Sequence, residues 1–276
     1  MTFKQVAMNY FKFRPIGFTN AISLYAAFTM GLIFYLLHHN EFITIGQFLK
    51  KDVIIKHDGM MLFARAKSED LGYYIASAKP WTLKWFKPRK GEVVVDCGSG
   101  VGTFTMRALK MGATVYAFEP NPSTFMVLRR NIELNNFSSA VVKNKGLSNR
   151  SGIFTFYAPK HFTGISSFNK DWVKSVKKFD EVSEINVEVT TLDEELKDLS
   201  VINWLLIDVE GHELELLKGS TQTLKITENI IIEISYINRE EILKILHENH
   251  FIEIEHGDPE EKTQYFFFRR EHHKFN

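Results

Sequence analysis

Cysteine is nearly missing from this chain: Cys97 is the single one among 276 residues. An intramolecular disulfide is therefore excluded, and the thiol count suits a reducing, cytoplasmic setting. Nothing beside Cys97 would lower its pKa, so it reads as a small packing residue and not as a nucleophile. A block of one charge is missing too. Lys and Arg number 34 against 33 Asp and Glu, a net charge of +1, and the signs are mixed along the chain. That leaves ordinary solvated faces and none of the basic footprint of a dedicated nucleic-acid binder. Internal repeats and low-complexity tracts are absent, which sets aside repeat architectures. What remains is the composition of a folded protein, 45% hydrophobic and 24% charged, with length for one large domain or a domain and an appendage.

One stretch lacks charge altogether, Ile16 to Leu37. It is long enough to span a bilayer, which needs roughly 20 apolar residues. It lies too far from the start, and lacks the small-residue cleavage site, for a secretory signal. Thr19, Asn20, Ser23 and Thr29 interrupt its apolarity. Lys4, Lys12 and Arg14 precede it and Glu41 follows, so a spanning helix would export everything downstream, away from a cytosolic cofactor. The alternatives are a helix docked on the domain or on a second copy in a homo-oligomer, or one lying in the membrane plane.

Two short apolar runs flank Asp58-Gly59, a pattern that predicts a hairpin over 53–64 with a type I′ turn. Ser68 and Asp70 are placed to cap a short helix reaching Ala78, and "KPWTLKWFKPRKG" connects to the main domain. Residues 1–79 thus form an N-terminal extension and 80–276 the domain proper. In that domain strand-like runs (Val93–Asp96, Thr114–Glu119, Ala140–Lys143, Ile202–Asp208, Ile230–Ser235, Tyr265–Arg269) alternate with helical ones (Thr103–Met111, Ser123–Asn135, Glu213–Lys218, Arg239–Asn249). Such alternation predicts an α/β, doubly wound, mainly parallel Rossmann-like sheet with helices on both faces. A less regular, β-rich section over 152–192 interrupts it.

The chemistry begins at "VVVDCGSGVGTFT", where Asp96 stands ahead of Gly98, Gly100 and Gly102. A strand, a bare turn and a helix start make a ligand cradle. The spacing is not the G-x-G-x-x-G of nicotinamide sites, and an acid there suits a cation better than a pyrophosphate. S-adenosylmethionine carries an ammonium and a sulfonium and no phosphate. Asp96 could hold the amino-acid end directly or through backbone, or it could merely cap the turn. Glu119, 23 residues later at the end of the next strand, suits the two ribose hydroxyls.

"NWLLIDVEGHE" reads as a buried strand ending in Asp208, then a turn through Glu210 and Gly211. In an open α/β sheet the crevice lies outside the carboxyl ends of the strands, so Asp96, Glu119 and Asp208 are expected on one rim. Asp208 and Glu210 are the candidate bases for a hydroxyl acceptor, with His212 a weaker third. One carboxylate has the alternative of acting electrostatically beside a sulfonium, and Glu210 that of stabilising the helix start. Two acids two residues apart lack third and fourth ligands, so no metal is expected. His161 to Trp172 mixes aromatics, hydroxyls and a glycine, as an acceptor pocket or an ordinary connection would. Trp81 and Trp85 stay unassigned, and His38-His39 and His272-His273 read as solvent-facing.

Six blocks in one order carry a resemblance: "VVVDCGSGVGTFT", "AFEPNP", "LRRNIELNN", "NKGLSNRSGIFTFY", "VTTLDE" and, most specific, "LLIDVEGHELELLKGS". From about Gly91 to Ser235 the chain resembles the FkbM family of class I methyltransferases. The resemblance implies a seven-stranded sheet, S-adenosylmethionine as cofactor, and O-methylation of a sugar, glycan or other small metabolite. It also implies that Asn121 belongs to the cofactor site and that Gly146-Leu147-Ser148 flanks the adenine. Amine-methylating relatives often carry Asn-Pro-Pro-aromatic where this chain has Asp208-Val-Glu210-Gly, which favours a hydroxyl acceptor. A protein or nucleic-acid acceptor, a nicotinamide oxidoreductase and a non-catalytic scaffold are the rival readings.

Overall fold

The computed structural model describes residues 13–37, 45–76, 84–176, 181–235, 237–257 and 263–271. Trp81, both paired histidines and the expected helix end at Ala78 lie outside them. A central sheet holds strands β4 (Val93–Cys97), β5 (Thr114–Phe118), β6 (Ala140–Lys143), β10 (Ile202–Ile207), β11 (Thr227–Ser235), β12 (Phe251–His256) and β13 (Thr263–Arg270). Their order is β12-β13-β11-β10-β4-β5-β6. All neighbours from β11 to β6 are parallel, and β13 alone runs against its partners. This is the expected doubly wound sheet of seven strands. Order reverses between β4 and β10, which opens a crevice at their carboxyl ends.

The central strands are apolar throughout because helices cover both faces. Alternate residues divide between two cores. Val94, Leu206 and Ile231 face one, with Phe267 and the helices Thr103–Lys110 and Pro122–Leu134. Val95, Leu205, Ile230 and Ile232 face the other, with Leu216, Ile242 and Leu246. The edge strand β12 was not expected: "FIEIEH" follows directly on the helix Arg239–Glu248 and closes a hairpin with β13. The irregular section is itself a hairpin of β8 (Gly152–Pro159) on β9 (Val182–Thr190), with β7 (Gly146–Leu147) added in parallel to β9.

Ahead of the sheet, β2 (Val53–His57) and β3 (Met60–Ala64) form the hairpin read from Asp58-Gly59, and both turn residues have positive φ, 48° and 77°. β1 (Arg14–Pro15) pairs β2, and the uncharged helix Phe18–Leu37 follows β1. No helix among the described residues is long and apolar enough to cross a membrane. The hairpin joins the first core, and the helix Pro122–Leu134 serves the edge of β3 as a strand would. Asn135 Oδ1 accepts from Met61 N at 2.8 Å, and Asn131 Oδ1 accepts from Phe63 N at 2.7 Å. The fully buried Asn131 amide also donates to Tyr74 Oη at 2.8 Å and to Val101 O at 2.9 Å. One side chain thereby ties the hairpin, the helix Asp70–Ala76 and the glycine turn together. Asn131→Ala removes three buried hydrogen bonds and is expected to lower unfolding free energy by about 2–4 kcal/mol in urea titration. A loss under about 0.5 kcal/mol, the ordinary effect of a surface change, would contradict this role.

Candidate active site

The glycine turn after β4 is organised by an acid from the next strand. Glu119 Oε2 accepts from Gly100 N at 2.9 Å, and its Oε1 accepts from Asn121 N at 2.8 Å. The N–H groups of Gly98 and Ser99 both donate to Phe118 O at 3.0 Å. Gly98 also permits a close approach: a Cβ there would fall 1.8 Å from the carbonyl oxygen of Asp208. The loops after β4 and β10 therefore touch through backbone, and a cavity of about 290 Å³ opens along their seam.

Gly98, Gly100, Glu119, Leu147, Asp208 and Glu210 of the expected site residues line that cavity. Asp96, Gly102, Asn121 and Gly146 are not in its wall. Asp96 is 2% exposed and accepts from Thr105 Oγ1 at 2.6 Å, so its carboxylate locks the following helix to β4. Gly102 turns the chain into that helix. Asn121 caps the helix Pro122–Leu134, its Oδ1 accepting from Ser123 N at 3.0 Å. Gly146 makes room for the Phe168 ring. His212 is also outside the wall; its Nε2 lies 3.0 Å from Ser148 Oγ, and burial pushes its pKa down. Cys97 is fully buried, with burial and then Asp96 raising its thiol well above the usual range, as a packing residue requires. Trp85 is buried away from the cavity and donates from Nε1 to Glu255 Oε2 at 2.8 Å.

The other end of the cavity is acidic. Asp208, Glu210 and Glu233 each place one carboxylate oxygen within 4.8 Å of the others. Tyr265 donates from its hydroxyl to Asp208 Oδ2 at 2.5 Å, and Trp172 donates from Nε1 to Glu210 Oε2 at 3.3 Å. Glu210 has a left-handed backbone, φ 52°, uncommon for a residue with a side chain, and Ser167 Oγ donates to its carbonyl at 2.7 Å. Burial, then the charges of Glu233 and Asp208, push the Glu210 carboxyl well above the usual range. The phenols of Tyr73 and Tyr265 are raised as well, chiefly by burial, so both act as hydrogen-bond donors at neutral pH.

The segment 161–172 does contribute Thr163, Gly164, Ser166 and Phe168 to the wall. Several lining residues escaped the sequence reading: Glu233, Tyr265, Tyr73 and Thr124. Glu233 had a signal, being the acid inside the apolar run "IIIEI". The others had none. Tyr73 precedes the expected domain boundary, yet a Cβ on Gly164 would fall 1.4 Å from its hydroxyl oxygen. Arg65 secures this corner, with Nη2 2.7 Å from Asp70 Oδ1 and 3.2 Å from Thr163 Oγ1, and Nη1 3.1 Å from Ser123 Oγ. The hydroxyls of Thr124 and Ser166 are buried in the wall with no hydrogen-bond partner among the described residues.

Mainly parallel strands in this order, a bare turn with an acid at the next strand end, and a crevice at the switch point define a Rossmann-like methyltransferase sheet. Residues 96–261 match the methyltransferase FkbM domain, and the chain belongs to that family. It is 32% identical over 158 residues to Methyltransferase 1 of Beauveria bassiana, covering 51% of this chain and 64% of that one. It is 31% identical over 162 residues to the hexuronic acid methyltransferase AglP of Haloferax volcanii, covering 57% and 62%. The chain thus spans less than two thirds of the length of these curated relatives. The crystal structure of Trm5b from Pyrococcus abyssi aligns with 79% of this chain and 56% of its own at 15% identity and TM-score 0.47.

Three buried carboxyls, Asp96, Glu119 and Glu213, are raised to about 7, each mainly by burial. Their ordinary values are 3.8 for Asp96 and 4.5 for the two glutamates. Between those values and 7 the folded chain keeps protons that the unfolded chain has released. Stability therefore falls as pH rises through this window, by up to about 1.4 kcal/mol per pH unit for each group. His212, lowered by burial, opposes them below its ordinary 6.5, one group against three. Urea midpoints are expected to decline from pH 5.5 to 7.5, and less steeply in Glu213→Gln. A rise over that range, or an unchanged slope in the variant, would contradict the assignment.

Proposed function

We propose that this chain is an S-adenosylmethionine-dependent methyltransferase whose acceptor is a hydroxyl of a sugar, glycan or other small metabolite. The carrying observation is that the bare turn with Glu119 and the acids Asp208 and Glu210 line one cavity at the switch point of an FkbM-family sheet. The residues present fit the cofactor: the cradle at Gly98 and Gly100 admits close backbone approach, and the partnerless Thr124 hydroxyl in the wall calls for a polar ligand. When bound, S-adenosylmethionine supplies a methyl group on a positively charged sulfur.

Glu119 accepts from the ribose hydroxyls while its backbone donors hold it in place, and Asp96 adds negative potential behind the turn. Leu147 offers an apolar surface to the adenine. Asp208, oriented by Tyr265, would take the acceptor hydroxyl's proton as the methyl carbon exchanges its bond to sulfur for one to that oxygen, with S-adenosylhomocysteine as the leaving group. Glu210 shapes the field beside the reacting carbon. The wall of Tyr73, Thr163, Gly164, Ser166 and Phe168 excludes water and positions the acceptor, drawing on both the extension and the domain. The name of the Haloferax volcanii relative supports a sugar among the candidate acceptors.

Calorimetric titration of S-adenosylmethionine is expected to show one site, weakened at least about tenfold in Glu119→Gln, the scale of one charge-assisted hydrogen bond. Asp208→Asn is expected to keep that affinity and to lose about 10²–10⁴ in methyl transfer, followed as S-adenosylhomocysteine released with an extract of small metabolites and glycans. Failure of the nucleoside to bind the unmodified chain would overturn the reading.

A further inference from the structure

Two acids did not make a metal site in the sequence; the fold adds a third. Asp208 and Glu210 follow β10, and Glu233 comes from β11, the strand hydrogen-bonded beside it. The ligand oxygens of the three lie within 4.8 Å of one another. Opposite ligands of Ca²⁺ are about 4.6–5.2 Å apart and those of Mg²⁺ about 4.0–4.2 Å, so the spacing suits one hard cation with little movement. Two of the carboxylates are already aimed. Tyr265 holds Oδ2 of Asp208 and Trp172 holds Oε2 of Glu210, as outer-shell donors hold metal ligands.

A separate observation points to a ligand here. Ser166 is 7% exposed, its hydroxyl has no hydrogen-bond partner among the described residues, and it lines the same cavity as the three acids. A buried hydroxyl left so is destabilising, which a bound cation with its water or acceptor oxygen relieves. Three acids crowded in a sheltered cavity also repel one another, and a positive ion removes that repulsion.

We propose that Asp208, Glu210 and Glu233, in the cavity that Ser166 also lines, form a binding site for a divalent, oxygen-seeking cation at the acceptor end of that cavity. The cation would hold the oxygen of the acceptor hydroxyl at this end of the cavity. That catalytic part rests on the proposed function, whereas binding of the ion does not.

The test uses the full chain, freed of metal by chelator and dialysis, titrated with MnCl₂, MgCl₂ and CaCl₂ by calorimetry, with Mn²⁺ also followed by electron paramagnetic resonance. One saturable site per chain is expected for at least one ion, with Kd at or below about 1 mM. Glu233→Gln is expected to weaken it at least about tenfold, and Trp172→Phe to weaken it about 10-fold through the aim of Glu210. Thermal melts in chelator report whether each variant folds; if Glu233→Gln does not, Ser166→Ala and Trp172→Phe decide. No saturation by about 10 mM of any of the three ions, or the same affinity in the folded variants, would overturn the site. A parallel titration with S-adenosylmethionine in chelator separates the two claims: its failure removes the proposed function and leaves the ion site standing.

Discussion

The cavity exists because two loops touch where one has no side chain. Gly98, leaving β4, rests against the carbonyl of Asp208, leaving β10, at a separation that a single Cβ would destroy. The sheet supplies the reason for the meeting. The two strands are parallel neighbours with Leu206 opposite Asp96 and Ile207 opposite Cys97, so both chains leave the sheet at the same level. Because strand order reverses there, no crossover helix fills the space above. The glycine turn and the Asp208 turn consequently meet, though more than a hundred residues separate them in sequence.

Carboxylates dominate this seam, and each is paid a different way in hydrogen bonds. Glu119 receives two backbone N–H groups, Asp96 a threonine hydroxyl, Glu213 the N–H of Gly211 at 2.8 Å, and Asp208 a tyrosine hydroxyl. Burial raises Asp96, Glu119 and Glu213 to about 7, which leaves the site with less negative charge than its composition suggests. A cationic ligand changes that balance, since positive charge within a few ångströms favours the ionised acids. The same residues thus build the turn and set its field.

Much of this was legible in the sequence wherever function is local. The glycine turn, Glu119 at a strand end and the Asp208-Glu210 turn each sit within a dozen residues of the pattern that marks them. Asp96 stands at the end of its strand as read, and its carboxylate meets Thr105 on the helix that follows the turn. Glu233 was marked by its apolar run, but its meeting with Tyr265 was hidden, since they are cross-strand partners in the antiparallel register of β11 and β13, which no local pattern fixes. Tyr73 was hidden for a similar reason, since its place depends on Arg65 reaching Thr163 across 98 residues of chain.

The central claim is that the backbone contact at Gly98 builds a nucleoside site. Calorimetric titration of S-adenosylmethionine into the unmodified chain and Gly98→Ala, with melts to establish folding, tests it most directly. Saturable binding to the first, lost or reduced at least about tenfold in the folded second, is the expected result for a methyl group forced into that seam. Equal affinity in both chains would contradict the account.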